Sequence, residues 1–266
     1  LFRSRDGITA LSNQLIVYKT SSVYRLMGDR PTNYRVMAVN RDMEPTVNTA
    51  IIANGDVPYW LTKAGMYYHD GQTAHLMFNA RQIHTILESV DISRCKGCEN
   101  RDRLYYTCRA GDGELDDTII VYDMRERTYL LRNGFKVIDL CSFNGVLYMI
   151  NGERYVYEWD KSCDTYDGEQ IDAYWYTPFT DLGSMSITKM LRWMYARGDG
   201  KLMNVDTRIG KFTQHDSYMM PEHLGETIQI PLKNQGRVFG FKIYNEAGSR
   251  FTLYGGVEVK YEVREE

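Results

Sequence analysis

Short paired runs of alternating apolar and polar residues, joined by tight turns, return along the first 160 positions and leave room for little but antiparallel sheet. Leu15-Ile16-Val17-Tyr18 and Ser22-Val23-Tyr24-Arg25-Leu26 flank a polar bend at Lys19-Thr20-Ser21. The pattern recurs at Asp56–Leu61 with Met66–Gly71, at Arg103–Cys108 with Thr118–Asp123 and Thr128–Leu131, and at Asn144–Ile150 with Arg154–Asp160. Taking Leu15, Val57, Leu104 and Val146 as equivalent gives steps of 42, 47 and 42 residues. A period of that size, with hairpins in every copy, is that of β-propeller blades. A four-stranded blade cannot cover both of its faces alone, so like side chains must return at one blade's spacing. The competing reading is a meander of hairpins whose spacing is accidental. In the propeller alignment Tyr67, Tyr129 and Tyr155 become equivalent buried aromatics.

The texture changes near residue 171. Ile171–Pro178 opens a set of longer strands, with candidates at 186–196, 201–208, 226–232, 237–244 and 250–263. Turns are expected at Gly198-Asp199-Gly200, Asn234-Gln235-Gly236 and Glu246-Ala247-Gly248. The fold class is therefore all-β, with a partial β-propeller-like repeat of antiparallel hairpins over residues 1–170 and a C-terminal β-sandwich over residues 171–266. One helix is expected, Asn79–Val90, with Ile83, Ile86, Leu87 and Val90 on one face and Asn79 as N-cap. The opening Leu1-Phe2-Arg3-Ser4-Arg5-Asp6 has neither an initiating Met nor a signal-peptide core and reads like the middle of a longer chain.

Composition narrows the function classes. Net charge is −3, from 32 Lys+Arg against 35 Asp+Glu, so no global basic field grips phosphates. No run of about 18 apolar residues is present for a membrane helix. Tyrosine stands out at 21 residues, a side chain suited to half-buried strands and interface rims.

The chemical-looking motifs have plainer readings beside them. Cys95-Lys96-Gly97-Cys98 with Cys108 could hold zinc if His84, Cys141 or Cys163 supplied a fourth ligand, although no second CxxC is present. The plain reading is a polar loop of reduced thiols, and then Cys95→Ser with Cys98→Ser should leave folding unchanged. Asp112, Glu114, Asp116 and Asp117 crowd one loop and Asp160, Asp164, Asp167 and Glu169 another; calcium favours such loops, as do solvated turns. Arg197-Gly198-Asp199 spells an adhesion tripeptide but reads as part of a turn. HExxH, GxSxG, P-loop and GxGxxG signatures are absent, so no catalytic residue, cofactor or metal site is assigned.

Two stretches carry a family resemblance: Ile8–Lys19 running on to Val23-Tyr24-Arg25-Leu26, and Pro58–Gly71. So do Thr180-Asp181-Leu182-Gly183, Ser186–Lys189, Ala196–Lys201, Ile230–Asn234 and Arg237–Lys242. These resemble phrases of tailed-phage tail structural proteins, in particular propeller-bearing tail nozzle or tail tubular B-type proteins and packaged-DNA stabilisation proteins. The resemblance implies a non-enzymatic virion component, a ring often sixfold around the DNA exit channel. Its partners would be copies of itself and neighbouring tail proteins, with transient passage of DNA and no membrane insertion. The alternative is a glycan-binding or glycosidase-like propeller of a phage fibre or cell surface, with Tyr and Trp faces stacking on sugars.

Overall fold

The computed structural model describes residues 7–11, 14–19, 21–41, 46–77, 81–159, 163, 165–200, 203–218, 226–245 and 251–264. Two compact units emerge, Leu1–Trp159 and Asp160–Glu266.

The first unit is a succession of antiparallel meanders. β1 (Gly7–Leu11), β2 (Gln14–Lys19), β3 (Ser22–Met27) and β4 (Arg35–Asn40) pair in chain order, as do β5 (Ile51–Asn54), β6 (Val57–Thr62), β7 (Gly65–His69) and β8 (Ala74–Leu76). After α1 (Arg81–Ser89) comes a sheet of β9 (Gly97–Asn100), β10 (Arg103–Cys108), β11 (Asp116–Asp123), β12 (Thr128–Phe143), β13 (Val146–Asn151) and β14 (Val156–Glu158). β12 serves two blades. Residues 128–133 pair with β11 and residues 139–143 with β13, while Val137 pairs with both. Gly134, at φ +95°, lies at the changeover, where the register also shifts; a left-handed residue lets the strand turn from one sheet plane into the next. The far half of β12 thus opens a fourth blade. Leu15, Val57, Leu104 and Val146 all fall on the second strand of their blades, on β2, β6, β10 and β13.

The blades stack face to face, each core shared by consecutive blades. Ile16, Tyr18 and Val23 of the first meet Trp60 of the second. Ile52, Leu61 and Met66 of the second meet Leu104, Tyr106 and Ile120 of the third. On the third blade's other face, Tyr105, Ile119 and Val121 meet Leu140, Leu147 and Met149 of the fourth. Strands covered on both faces lose their alternation and become continuously buried, as Leu104–Cys108 is.

The tyrosine alignment does not hold. Tyr67 lies on β7, Tyr129 is the second residue of β12, opposite Tyr122, and Tyr155 sits in the turn before β14 at 61% exposure. The helix does form, and Ile83, Leu87 and Val90 are buried in the core between the second and third blades. Asn79, its expected N-cap, lies outside the described residues. At the other end Lys63 Nζ donates to the carbonyls of Leu87, at 2.9 Å, and Val90, a cation satisfying the orphan acceptors of a helix C-terminus.

In the second unit β15 (Thr165–Tyr166) and β16 (Glu169–Gln170) pair with each other, so this small hairpin falls beyond the division at residue 159 rather than before an expected boundary at 170. β17 (Tyr174–Tyr176), β18 (Thr188–Gly200), β19 (Met203–Ile209), β20 (Phe212–Tyr218), β21 (Glu226–Pro231), β22 (Gln235–Gly236), β23 (Gly240–Tyr244), β24 (Phe251–Leu253) and β25 (Glu258–Arg264) follow. One sheet runs β17-β23-β19-β20; in the other, β18 is central, with β21 and β22 along one edge and β24 and β25 along the other. Leu191, Met194, Ile228 and Ile230 of one sheet pack with Val205, Phe241 and Ile243 of the other, which makes a sandwich.

Arg197-Gly198-Asp199 is strand rather than turn. Gly198 pairs with Glu226 on one edge and Leu253 on the other, so β18 continues through the tripeptide to Gly200. The Glu246-Ala247-Gly248 turn and Lys201 lie outside the described residues.

Candidate functional site

The residues singled out by their chemistry are dispersed by the fold. Cys98 stands opposite Tyr105, whereas Cys108 shares the other face of β10 with Tyr106, so strand parity puts Cys98 and Cys108 in different cores. Cys95 is fully buried beside Cys108's core, and Cys141 and Cys163 are exposed. Burial pushes the thiol of Cys95 well above its ordinary range, Cys98 up to about 11 and Cys108 up to about 12. These are packed thiols. His84 lies on the exposed side of α1, 3.5 Å from Glu88. Among the described residues no three His, Cys, Asp or Glu side chains converge as metal ligands.

In the 110–118 loop the carboxylates divide by role. Asp116 is buried and accepts from the Thr107 hydroxyl, and burial raises its pKa. Burial works the same way on Asp117, but the N–H groups of Ala110 and Gly111, each at 2.8 Å, outweigh it and hold that group below the usual carboxylate range. Asp112 and Glu114 stay exposed. In the other loop Asp160 and Asp164 lie outside the described residues, and Asp167 and Glu169 are exposed.

Two sets of residues spell hydroxyl, imidazole and carboxylate. Thr73 Oγ1 and Asp70 Oδ2 both lie 2.8 Å from Nε2 of His75. Tyr244 Oη and Asp206 Oδ1 both lie 2.7 Å from Nδ1 of His215. A base that activates a hydroxyl needs that hydroxyl on one ring nitrogen and its orienting carboxylate on the other. Both sets crowd one nitrogen, so neither has the geometry of a nucleophile relay.

What the fold does assemble is the outer face of the sheet β17-β23-β19-β20. Its inner face buries Val205, Phe241 and Ile243, so residues of opposite parity point outward. One row reads Tyr176, Lys242, Asp206, His215 straight across the four strands. Tyr174 faces Tyr244 in the next row, and Arg208 faces Gly240 on the other side. Lys242 Nζ lies 4.3 Å from the ring centroid of Tyr244 and 5.5 Å from those of Tyr174 and Tyr176. The Arg208 guanidinium lies 4.9 Å from Tyr176 and 5.1 Å from Phe179. Cations over ring faces are held by the ring quadrupole. Tyr174, Tyr176 and Phe179 remain 52%, 45% and 50% exposed.

Local structure holds this face in register. The Asn245 side chain accepts from Ala173 N–H at 2.8 Å and donates to the Ile171 carbonyl at 3.0 Å, while Thr177 Oγ1 accepts from Phe241 N–H at 2.9 Å. β17 is thereby clamped to β23 at both ends. Gly240 gives Arg208 its room: a Cβ there would stand 3.2 Å from Nη2 and 3.4 Å from Phe179 Cδ1. Asp206 is engaged by Tyr244 and His215, and it helps raise the Tyr244 phenol's pKa, after burial as the larger cause. Among the described residues neither Lys242 nor Arg208 has an ion-pair partner.

No protein-family model matches the chain, and no curated protein matches it in sequence. Among solved structures it is similar to the computationally designed Ika4 protein, at 9% identity over 60% of this chain and 92% of that one, with a TM-score of 0.41. It is also similar to a glycoside hydrolase, at 9% identity over 93% and 83% of the two chains with a TM-score of 0.30. A third is an exo-β-1,3-galactanase of Phanerochaete chrysosporium, at 8% identity over 93% and 80% with a TM-score of 0.33. These likenesses add nothing to what the strands of this chain show.

Proposed function

We propose that the chain is a non-catalytic structural subunit of a tailed-phage virion, self-associating into a ring and meeting neighbouring tail proteins, with residues 171–266 supplying a main subunit contact. The observation that carries the reading is the outer face of β17-β23-β19-β20. Tyr and Arg are the side chains in which protein interfaces concentrate their binding energy. Here Tyr174 and Tyr176 stand exposed, with Arg208 half-buried beside them, on a sheet whose register is already fixed, so docking orders little that is free. The phage-tail character of the hairpin phrases supplies the context, and a ring around a DNA exit channel is the arrangement that goes with it.

A glycan would use the same rings differently, as open platforms for sugar faces. The Tyr174 and Tyr176 rings stand 73° apart, and Lys242 lies over both. That arrangement favours a protein partner. Sedimentation velocity on the intact chain tests the reading: a multimer is expected, shifting toward monomer in Tyr174→Ser with Tyr176→Ser. A wild-type chain that stays monomeric at every concentration contradicts it, and glycan binding lost in the same double variant would point to the sugar reading instead.

A further inference from the structure

We infer that Arg208 and Lys242 receive the carboxylates of Asp112 and Glu114 from a second copy of the chain, a heterologous contact between two different patches. The inference rests on the self-association just proposed and names its chemistry.

On the receiving side, two cations are fixed on aromatic rings of a rigid sheet with no carboxylate partner among the described residues. On the donating side stands an ordered loop. Asp117 accepts from the N–H groups of Ala110 and Gly111, Arg109 donates to the Gly113 carbonyl at 3.3 Å, and Arg94 donates to the Glu114 carbonyl at 3.1 Å. Two arginines thus lie beside this loop and bind its main chain, leaving the side chains of Asp112 and Glu114 exposed. Neither carboxylate has an ion-pair partner among the described residues.

The spacings match. Lys242 is opposite Asp206, and Arg208 is two residues further along β19, so the cations are diagonal neighbours, about 7–8 Å apart at the backbone. Carboxylates two residues apart span at most about 7 Å along the chain. Because the acidic patch and the basic patch differ, the contact is head to tail, the kind that closes rings.

Charge reversal separates this contact from other modes of assembly. Lys242→Glu with Arg208→Glu should weaken self-association by about tenfold or more, and Asp112→Lys with Glu114→Lys should do the same. Mixed in equal amounts, the two reversed chains should assemble again, since each face then meets a loop of opposite sign. Rescue on mixing also shows that both variants fold. Wild-type assembly that is indifferent to either reversal overturns this pairing and leaves the structural reading standing. A monomeric wild type overturns both. Reversed chains that fold, by their unchanged melting and circular dichroism, yet fail to recover on mixing place the charges elsewhere and overturn the pairing.

Discussion

The cysteines that look reactive in the sequence divide by burial: Cys95, Cys98 and Cys108 belong to the core, while Cys141 and Cys163 are exposed. Cys95 is fully buried, which weighs against the expectation that serine can replace it. Its thiol donates to the Lys96 carbonyl at 3.8 Å, and the shorter C–O bond of serine draws the hydroxyl back from that acceptor. A poorly paired buried hydroxyl costs about 1–3 kcal/mol, and urea denaturation of Cys95→Ser should show that loss. A Cys95→Ser variant as stable as the wild type would mean that its surroundings are polar. His69 has a different consequence. It is buried, its Nδ1 accepts from Gly71 N–H at 2.8 Å, and Nε2 has no partner among the described residues. The ring is therefore neutral, and burial, the largest cause, lowers its pKa below the ordinary 6.5. The unfolded chain binds the proton more readily, so this contribution to stability is complete above pH 6.5 and is lost as pH falls toward the lowered folded value. Asp70, whose pKa is also lowered, acts in another window, below its ordinary 3.8. Melting between pH 7.5 and 5.5 should fall less in His69→Gln than in the wild type; equal slopes would remove His69 from the account. The sequence could not distinguish these roles, because whether Cys98 and Cys108 share a site depends on which face of a strand each occupies.

Elements were legible where their periodicity was clean. The hairpin repeat placed four second strands correctly because stacked blades demand like side chains at one blade's spacing. Equating Tyr67, Tyr129 and Tyr155 failed, because the turns between those strands differ in length and β12 is shared by two blades. The residue that joins the first two blades is Trp60, fully buried, with Tyr18 edge-on at 5.1 Å and Tyr67 stacked at 5.8 Å. Trp60→Ala should cost about 3–5 kcal/mol, whereas exposed Tyr155→Ala should be near neutral. Denaturation midpoints compare the two directly, and equal losses would mean that the blades do not pack as described. In the second unit β20 was missed because its run, Phe212-Thr213-Gln214-His215-Asp216-Ser217-Tyr218, lacks an apolar alternation and lies at a sheet edge. In β18 the step from Leu191 to Met194, both buried, breaks period two because the register with β25 shifts between Leu191 and Trp193. The expected 250–263 strand is two, β24 and β25, separated at Gly255-Gly256.

At the scale of the molecule, the all-β class was readable from the recurring hairpins. The outer face of β17-β23-β19-β20 was not. Tyr174 and Tyr176 are 66 to 70 residues from Lys242 and Tyr244 in the chain, and only the strand register brings them into neighbouring rows. The charge balance bears on the proposed channel as well. With −3 per chain, DNA passing through a ring has no net positive field to hold it, so filter binding at low salt should show no salt-sensitive retention of duplex DNA, and retention that collapses with added salt would point to a basic lumen. The most direct test of the whole account is an image. Negative-stain electron microscopy of the purified intact chain should show closed rings with a central opening, lost in Lys242→Glu with Arg208→Glu; fields of isolated single subunits at assembly concentrations would contradict it.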